Sequence, residues 1–149
     1  MSYQLSPYHK EHESILISFL DKCLPESNRC LDIDGRHSYY KEISTHFKGF
    51  WCLYDGERII GTVAISELSG DSCELKSLYL LEEYHSRGYG KRMLEHAIEN
   101  ARDLGYKKMY LDSLSSSKKA IALYRRAGFA HTEKYNQSKY SDVFMVLEL

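Results

Sequence analysis

The sequence predicts an α/β fold built on a mixed sheet of about six to seven strands with helices on both faces. Three observations lead to it. Between Phe50 and Leu80, β-prone runs follow one another with only turn residues between them. From Gly90 onward, amphipathic helical runs alternate with short apolar runs. Neither type is segregated into one half of the chain, so the strands must share a sheet with both antiparallel and parallel neighbours.

The elements follow in order. Tyr3 to Leu5 reads as a short strand. Glu13, Ile15, Leu16, Phe19, Leu20 and Cys23 recur at helical spacing, with Pro25 beyond the end. Leu31 to Gly35 is turn-like. Tyr39, Tyr40, Ile43 and Phe47 then repeat at helical spacing up to Gly49. The period changes at Phe50–Tyr54, which pairs across Asp55-Gly56 with Arg58–Ile65 as a hairpin. The turn Ser69–Ser72 leads to a third strand, Cys73–Leu80, completing an antiparallel meander. Met93, Leu94, Ala97, Ile98, Ala101 and Leu104 mark a long helix stopped at Gly105. Lys107–Leu111 is a strand, and a helix from Ser117 ends at Gly128. Phe129–Lys134 and Asp142–Leu149 are the last strands, joined by the polar loop Tyr135–Ser141.

Bulk properties narrow the function. The chain has 149 residues, the size of one domain, so residues 1–149 are read as a single unit. Hydrophobic residues make up 43%, enough for a core. A net charge of −1 argues against nucleic acid, which demands a basic surface. No run approaches the ~20 apolar residues of a membrane span. The opening Met1, Ser2, Tyr3 and Gln4 has no leader character, so a cytoplasmic location is expected. Cys23, Cys30, Cys52 and Cys73 form no C-x-x-C pair and read as reduced, small apolar residues. His9 and His12 read as a solvated helix face, and no metal site is suggested.

The chemistry concentrates in His85-Ser86-Arg87-Gly88-Tyr89-Gly90-Lys91, which leaves a strand and opens a helix. Glycines there admit close backbone approach. The first helical turn offers unpaired N–H groups and a positive dipole end. Together they suit a pyrophosphate, with Arg87, Lys91 and Arg92 adding charge. The Walker pattern is absent, and Met93 stands where a dinucleotide loop would have its third glycine.

In this segment the sequence resembles the GNAT N-acetyltransferases, whose pyrophosphate loop reads Q/R-x-x-G-x-G/A. His85 replaces the usual first residue. A second landmark of that family, N-x-x-A-x-x-L-Y-x-x-x-G-F, corresponds to Ser117 through Phe129, with Ser117 in place of Asn. Ser is a helix-capping residue as Asn is. The resemblance runs from about Trp51 to the C-terminus and fades over residues 1–48.

The resemblance implies the GNAT fold and an acetyl-CoA-dependent N-acetyltransferase. The acyl donor would lie where strands Cys73–Leu80 and Lys107–Leu111 splay. Its pantetheine arm would pair with the backbone of Leu78, Tyr79 and Leu80 like an added strand. The amide of Leu78 would steady the oxyanion. Tyr124 would protonate the leaving thiolate, which resembles a thiol of pKa ~8.5. Glu74 matches the catalytic glutamate of related histone acetyltransferases, against the alternative of a strand-end acid paired with Lys76 or Arg58. Asp32, Asp34, Tyr39, Tyr40 and the loop Tyr135–Ser141 would line the acceptor side, where acids and aromatics suit a cationic amine. No acceptor is identified by sequence. The alternatives are an acyl-CoA-binding sensor or regulatory module without turnover, a transferase for a longer acyl group, and a purely structural domain. Homodimers are common in the family.

Overall fold

The computed structural model describes residues 3–149. Met1 and Ser2, the start of the segment read above for a leader, lie outside the described residues. The elements are β1 (Gln4–Pro7), α1 (Glu13–Cys23), α2 (Ile43–His46), β2 (Gly49–Asp55), β3 (Arg58–Ser69), β4 (Ser72–Leu80), α3 (Tyr89–Asp103), β5 (Lys108–Ser113), α4 (Lys118–Ala127), β6 (Ala130–His131) and β7 (Val143–Glu148). The seven strands form one sheet in the order β1-β2-β3-β4-β5-β7-β6. β4 and β5 are its parallel pair, and every other neighbouring pair is antiparallel. The α/β mixed sheet expected from the sequence is therefore present.

Alternation along the strands assigns the two faces. Trp51, Gly61 and Val63 face α3, whose Met93 approaches Gly61 and whose His96 meets Trp51 edge-on. Phe50, Cys52, Thr62 and Ala64 face the other way, toward Tyr8, Tyr40 and Phe47. α4 lies beside α3: its Leu123 reaches Gly90, and Leu147 of β7 touches its closing Gly128. Met93, Leu94, Ala97, Ile98 and Ala101 form the buried stripe of α3. Met93 is sealed at 0% exposure, so Met93→Ala would cost on the order of 2–5 kcal/mol.

Helix ends follow local rules. α4 closes with Gly128 at φ +108, its amide on the Arg125 carbonyl and the Phe129 amide on that of Tyr124. Tyr39 to Phe47 departs from the single helix its spacing suggests. A 3₁₀ turn, Ser38–Lys41, and the one-turn α2 are broken by Glu42 at φ −137, and neither has a side-chain cap. Packing among Tyr39, Tyr40, Phe47 and Phe50 sets the path instead. The strand expected over Phe129–Lys134 shrinks to Ala130–His131, with one further backbone bond from the Thr132 amide to the Phe144 carbonyl of β7. Cys30 is exposed, unlike the three buried cysteines, and all four are free. His12 is half-buried, and its Nδ1 meets the Tyr54 hydroxyl at 2.7 Å. Among the described residues no helix is long and apolar enough to cross a membrane.

Candidate active site

The parallel ladder between β4 and β5 is short. Ser72, Cys73 and Glu74 pair with Lys108, Met109 and Tyr110, and pairing ends there. Beyond Glu74 the edge of β4 from Leu75 to Leu80 turns away from β5 and opens a wedge in the middle of the sheet. A bulge lies within that edge. Lys76 pairs with Ala64 and Tyr79 with Thr62, so Ser77 and Leu78 together oppose Val63. Ser77 takes the left-handed φ of +53, uncommon for a residue with a Cβ. Two buried side chains pin it: Thr62 Oγ1 donates to the Ser77 carbonyl at 2.7 Å, and the Tyr40 hydroxyl meets Ser77 Oγ at 2.6 Å. The bulge leaves the Leu78 amide outside the β3 register.

On the α3 face, β4 runs through a 3₁₀ turn, Glu82–Tyr84, into the helix start. Ser86 and Gly88 both adopt left-handed backbone, at φ +64 and +87. A Cβ on Gly88 would meet nothing within 4 Å, so glycine is favoured there by dihedral angle and not by space. Gly88 is the N-cap of α3 without a side-chain cap; its carbonyl takes the Arg92 amide at 3.1 Å. The amides of Tyr89, Gly90 and Lys91 therefore point out of the first turn of a 15-residue helix, at its positive dipole end. This arrangement can bind a pyrophosphate.

The side chains around this loop do other work. His85 Nε2 lies 2.8 Å from the Leu80 carbonyl. A carbonyl only accepts, so the imidazole carries its proton on Nε2 and staples the loop to the end of β4. Arg87 donates to the Glu83 carbonyl and packs over Tyr84. Lys91 pairs with Glu95 one turn on. Ser117 stands at the N-cap of α4 as expected, but its hydroxyl makes no capping bond; with ψ +61 the residue is held by its backbone alone, its amide donating to the Leu114 carbonyl and its carbonyl accepting the Ile121 amide.

The opposite face of the wedge is polar and dense. Glu74, Lys76 and Tyr79 alternate along β4, while Tyr110 and Asp112 do so on β5. Glu74 is 7% exposed, and three donors converge on it: Tyr135 Oη at 2.5 Å, Asn136 Nδ2 at 3.1 Å and Lys76 Nζ at 3.2 Å. Lys76 is thus the basic partner of Glu74, and Arg58 is not, since Arg58 pairs with Glu83. Asp112 receives Asn136 Nδ2 and Ser141 Oγ, each at 2.6 Å. The Asn136 amide thereby bridges two carboxylates across the splay. Burial works against the Lys76 ammonium, but Glu74 and Asp112 outweigh it and raise its pKa. Burial, then the Glu74 charge, pushes the Tyr135 phenol far up.

Tyr124 comes from α4 and is 7% exposed. Burial foremost, then the neighbourhood of Tyr79, pushes its phenol well above the ordinary value; Arg29 opposes and Asp112 adds to the rise. Those neighbours come from β4, from the turn after α1 and from β5, so the phenol stands where the strands part. Its hydroxyl makes no hydrogen bond with the described residues, yet no fully buried polar side-chain atom among them lacks a partner. The hydroxyl is thus open to the wedge, protonated at neutral pH and free to donate.

The wedge brings together Leu78, Tyr79, Leu80, Tyr124 and Glu74, with the loop His85–Lys91 at its α3 side. Asp32 and Asp34 do not join them. Asp32 accepts the Arg36 amide at 3.1 Å inside its own turn, and Asp34 pairs with Lys41; both are exposed, as short acids in tight turns tend to be. Tyr40 is 1% exposed and commits its hydroxyl to Ser77 Oγ, so it braces the bulge from within the core, and Tyr39 packs against its ring. Asp112 and Arg29 escaped the sequence reading. Asp112 could have been found by alternation from Tyr110, whereas no local pattern marks Arg29.

Comparisons with known proteins give the family and the fold. A model of the acetyltransferase (GNAT) family matches residues 14–129. The uncharacterized N-acetyltransferase YjgM of Escherichia coli is 36% identical over 98 residues, covering 63% of this chain and 58% of that protein. An acetyltransferase of the GNAT family from Staphylococcus aureus Mu50 superposes with a TM-score of 0.89 over 99% of each chain, at 19% identity. The Salmonella typhimurium protein yncA, solved with its cofactor acetyl-CoA, gives 0.77 at 17% identity over 99% of this chain and 94% of that one. The structural matches carry the fold, and the match to YjgM spans somewhat over half of that relative's length.

Proposed function

The chain belongs to the acetyltransferase (GNAT) family, and from that premise we propose that it is an acetyl-CoA-dependent N-acetyltransferase. It would act as a single domain in the cytoplasm, moving an acetyl group directly to a primary amine in a ternary complex. The observation that carries this reading is the early end of the β4–β5 ladder at Glu74 and Tyr110, beside a helix start with three outward amides. That pair of features fits a donor whose pantetheine extends β4 and whose pyrophosphate sits on Gly88–Lys91.

The residues supply each requirement of the transfer. Backbone groups of Leu78, Tyr79 and Leu80 hold the donor arm, the Leu80 carbonyl being already shared with His85. The amide of Leu78, set outside the β3 register by the bulge, donates to the carbonyl oxygen as negative charge develops there. The amine nitrogen bonds to the acetyl carbon, the carbon–sulfur bond breaks, Tyr124 passes its proton to the departing thiolate, and the proton that the nitrogen sheds on becoming an amide restores the phenol, directly or through water. An amine of pKa ~10.4 is mostly protonated at neutrality and must first lose a proton. Glu74 takes it, directly or through water, from its place in the hydrogen-bonded cluster.

Calorimetric titration with acetyl-CoA and CoA tests the donor, using Gly88→Asp beside Gly88→Asn. Both residues tolerate left-handed backbone, so the pair isolates the added charge. Micromolar binding that falls in both variants, and further in Gly88→Asp, is the expected result. A folded wild-type chain that binds neither ligand overturns the reading.

A further inference from the structure

The acceptor side of the wedge holds two acids and two bases, and their pairing is incomplete. Glu74 is answered by three donors and Asp112 by two, all from this chain. Lys76 is engaged by Glu74. Arg29 makes no ion pair and no side-chain hydrogen bond with the described residues. Its position is nonetheless fixed. The turn Leu24–Ser27 closes on Asn28 at φ +60, and the Arg29 amide returns to the Leu24 carbonyl at 2.9 Å. From there the half-buried guanidinium lies 5.9 Å from the Tyr79 ring centroid. Tyr79 points to the face of Glu74 and Lys76, away from the phosphate-binding start of α3. Burial dominates in raising the Tyr79 and Tyr124 phenols, and Arg29 is a cation that works against it in both. Arg29 is thus close to the reacting end of the wedge and remote in direction from the pyrophosphate loop.

We propose that Arg29 binds a carboxylate on the acceptor, so that the acceptor is a short amino-carboxylate of the amino-acid type. The proposal rests on the acetyltransferase reading and narrows its substrate class. Guanidinium matches a carboxylate with two parallel hydrogen bonds, a geometry an ammonium cannot reproduce. The flat face of Tyr79 holds the fork in place while its edge stays open. With the carboxylate on Arg29, the amine of such a molecule lies a few bonds away, beside Tyr124 and the Leu78 amide. Glu74 and Asp112, kept from Arg29 by their own donors, remain the negative pole toward that amine.

The test uses α-, β- and γ-amino acids, each beside its carboxamide. Thiol release reports turnover, and calorimetry on the CoA-saturated protein reports binding of members that are not turned over. The carboxylate form is expected to be favoured by about tenfold or more. Arg29→Met should bring the two forms within about twofold, and Arg29→Lys should recover part of the gap. Acetyl-CoA affinity should stay unchanged in both variants. Equal handling of the two forms by wild type, a preference that survives Arg29→Met, or no binding of any panel member overturns the proposal. Failure of wild type to bind acetyl-CoA is a separate result, seen without any acceptor, and it removes the donor reading instead.

Discussion

The two sides of the wedge are built by different means. On the proposed donor side the groups available are main-chain atoms: the edge of β4, the displaced Leu78 amide and the amides of Tyr89, Gly90 and Lys91. On the acceptor side they are side chains gathered from afar. Tyr135 and Asn136 reach Glu74 across 61 and 62 positions, and Tyr40 reaches Ser77 across 37. A backbone site depends on dihedral angles, hence on a few residue types at fixed spacing. A side-chain site depends on which distant segments fold against one another. The first can stay constant while the second is rebuilt for a new acceptor.

Substitutions can sharpen or break this contrast. Tyr124→Phe removes only the hydroxyl that faces the wedge, and turnover should drop by about 100-fold while acetyl-CoA affinity holds. Since the phenol is raised, it stays protonated through the neutral range. The wild-type pH–rate profile should therefore show no alkaline loss assignable to Tyr124 below pH ~10, and such a loss appearing in wild type but not in Tyr124→Phe would contradict its role as proton donor. Gly88→Asp should weaken acetyl-CoA by about 30-fold, roughly 2 kcal/mol, with acceptor KM unchanged. An equal rise in both constants would mean that the two sides are not independent.

Asn136→Ala removes the bridge between Glu74 and Asp112. Acceptor kcat/KM should fall by about tenfold, with donor affinity intact and a stability cost on the order of 1–3 kcal/mol from the carboxylates left short of a donor. The smallest effect belongs to the sheet that both sides share. Burial pushes the Cys52 thiol up to about 12 and Cys73 up to about 11 from an ordinary 9.0. A raised folded-state pKa means full stability below the unfolded value and loss as pH climbs toward the folded one. The melting temperature should be level to about pH 9 and fall between 9 and 12, less steeply in Cys52→Ala once its lower starting stability is subtracted.

Legibility in the sequence follows the same division. Asp55-Gly56, Gly88 and Gly128 announce turns because each glycine takes positive φ where few other residues can. The α3 stripe and the strand alternation marked out the layers, and with them the loop that opens α3. Ser77 carried no such signal, because its left-handed backbone is imposed by Thr62 and Tyr40 and not by its own preference. Tyr39–Phe47 misled for a related reason: aromatic packing produces helical spacing without one continuous helix. Ser117 kept its position and lost its bond. Asp32 and Asp34 are engaged within their own segment, by the Arg36 amide and by Lys41, which only the closed turn at Gly35 reveals.

The early end of the β4–β5 ladder also bears on how long the protein lasts. A sheet that parts in its middle carries two interior edges, and unpaired edges invite other chains. A substrate that lies along such an edge finishes the sheet. Any ligand that binds the folded form alone stabilises it by mass action, by ~2.7 kcal/mol at a hundredfold excess over Kd. On the proposed reading, the supply of acyl donor would then set how much of the protein stays folded and how well that parted sheet is covered.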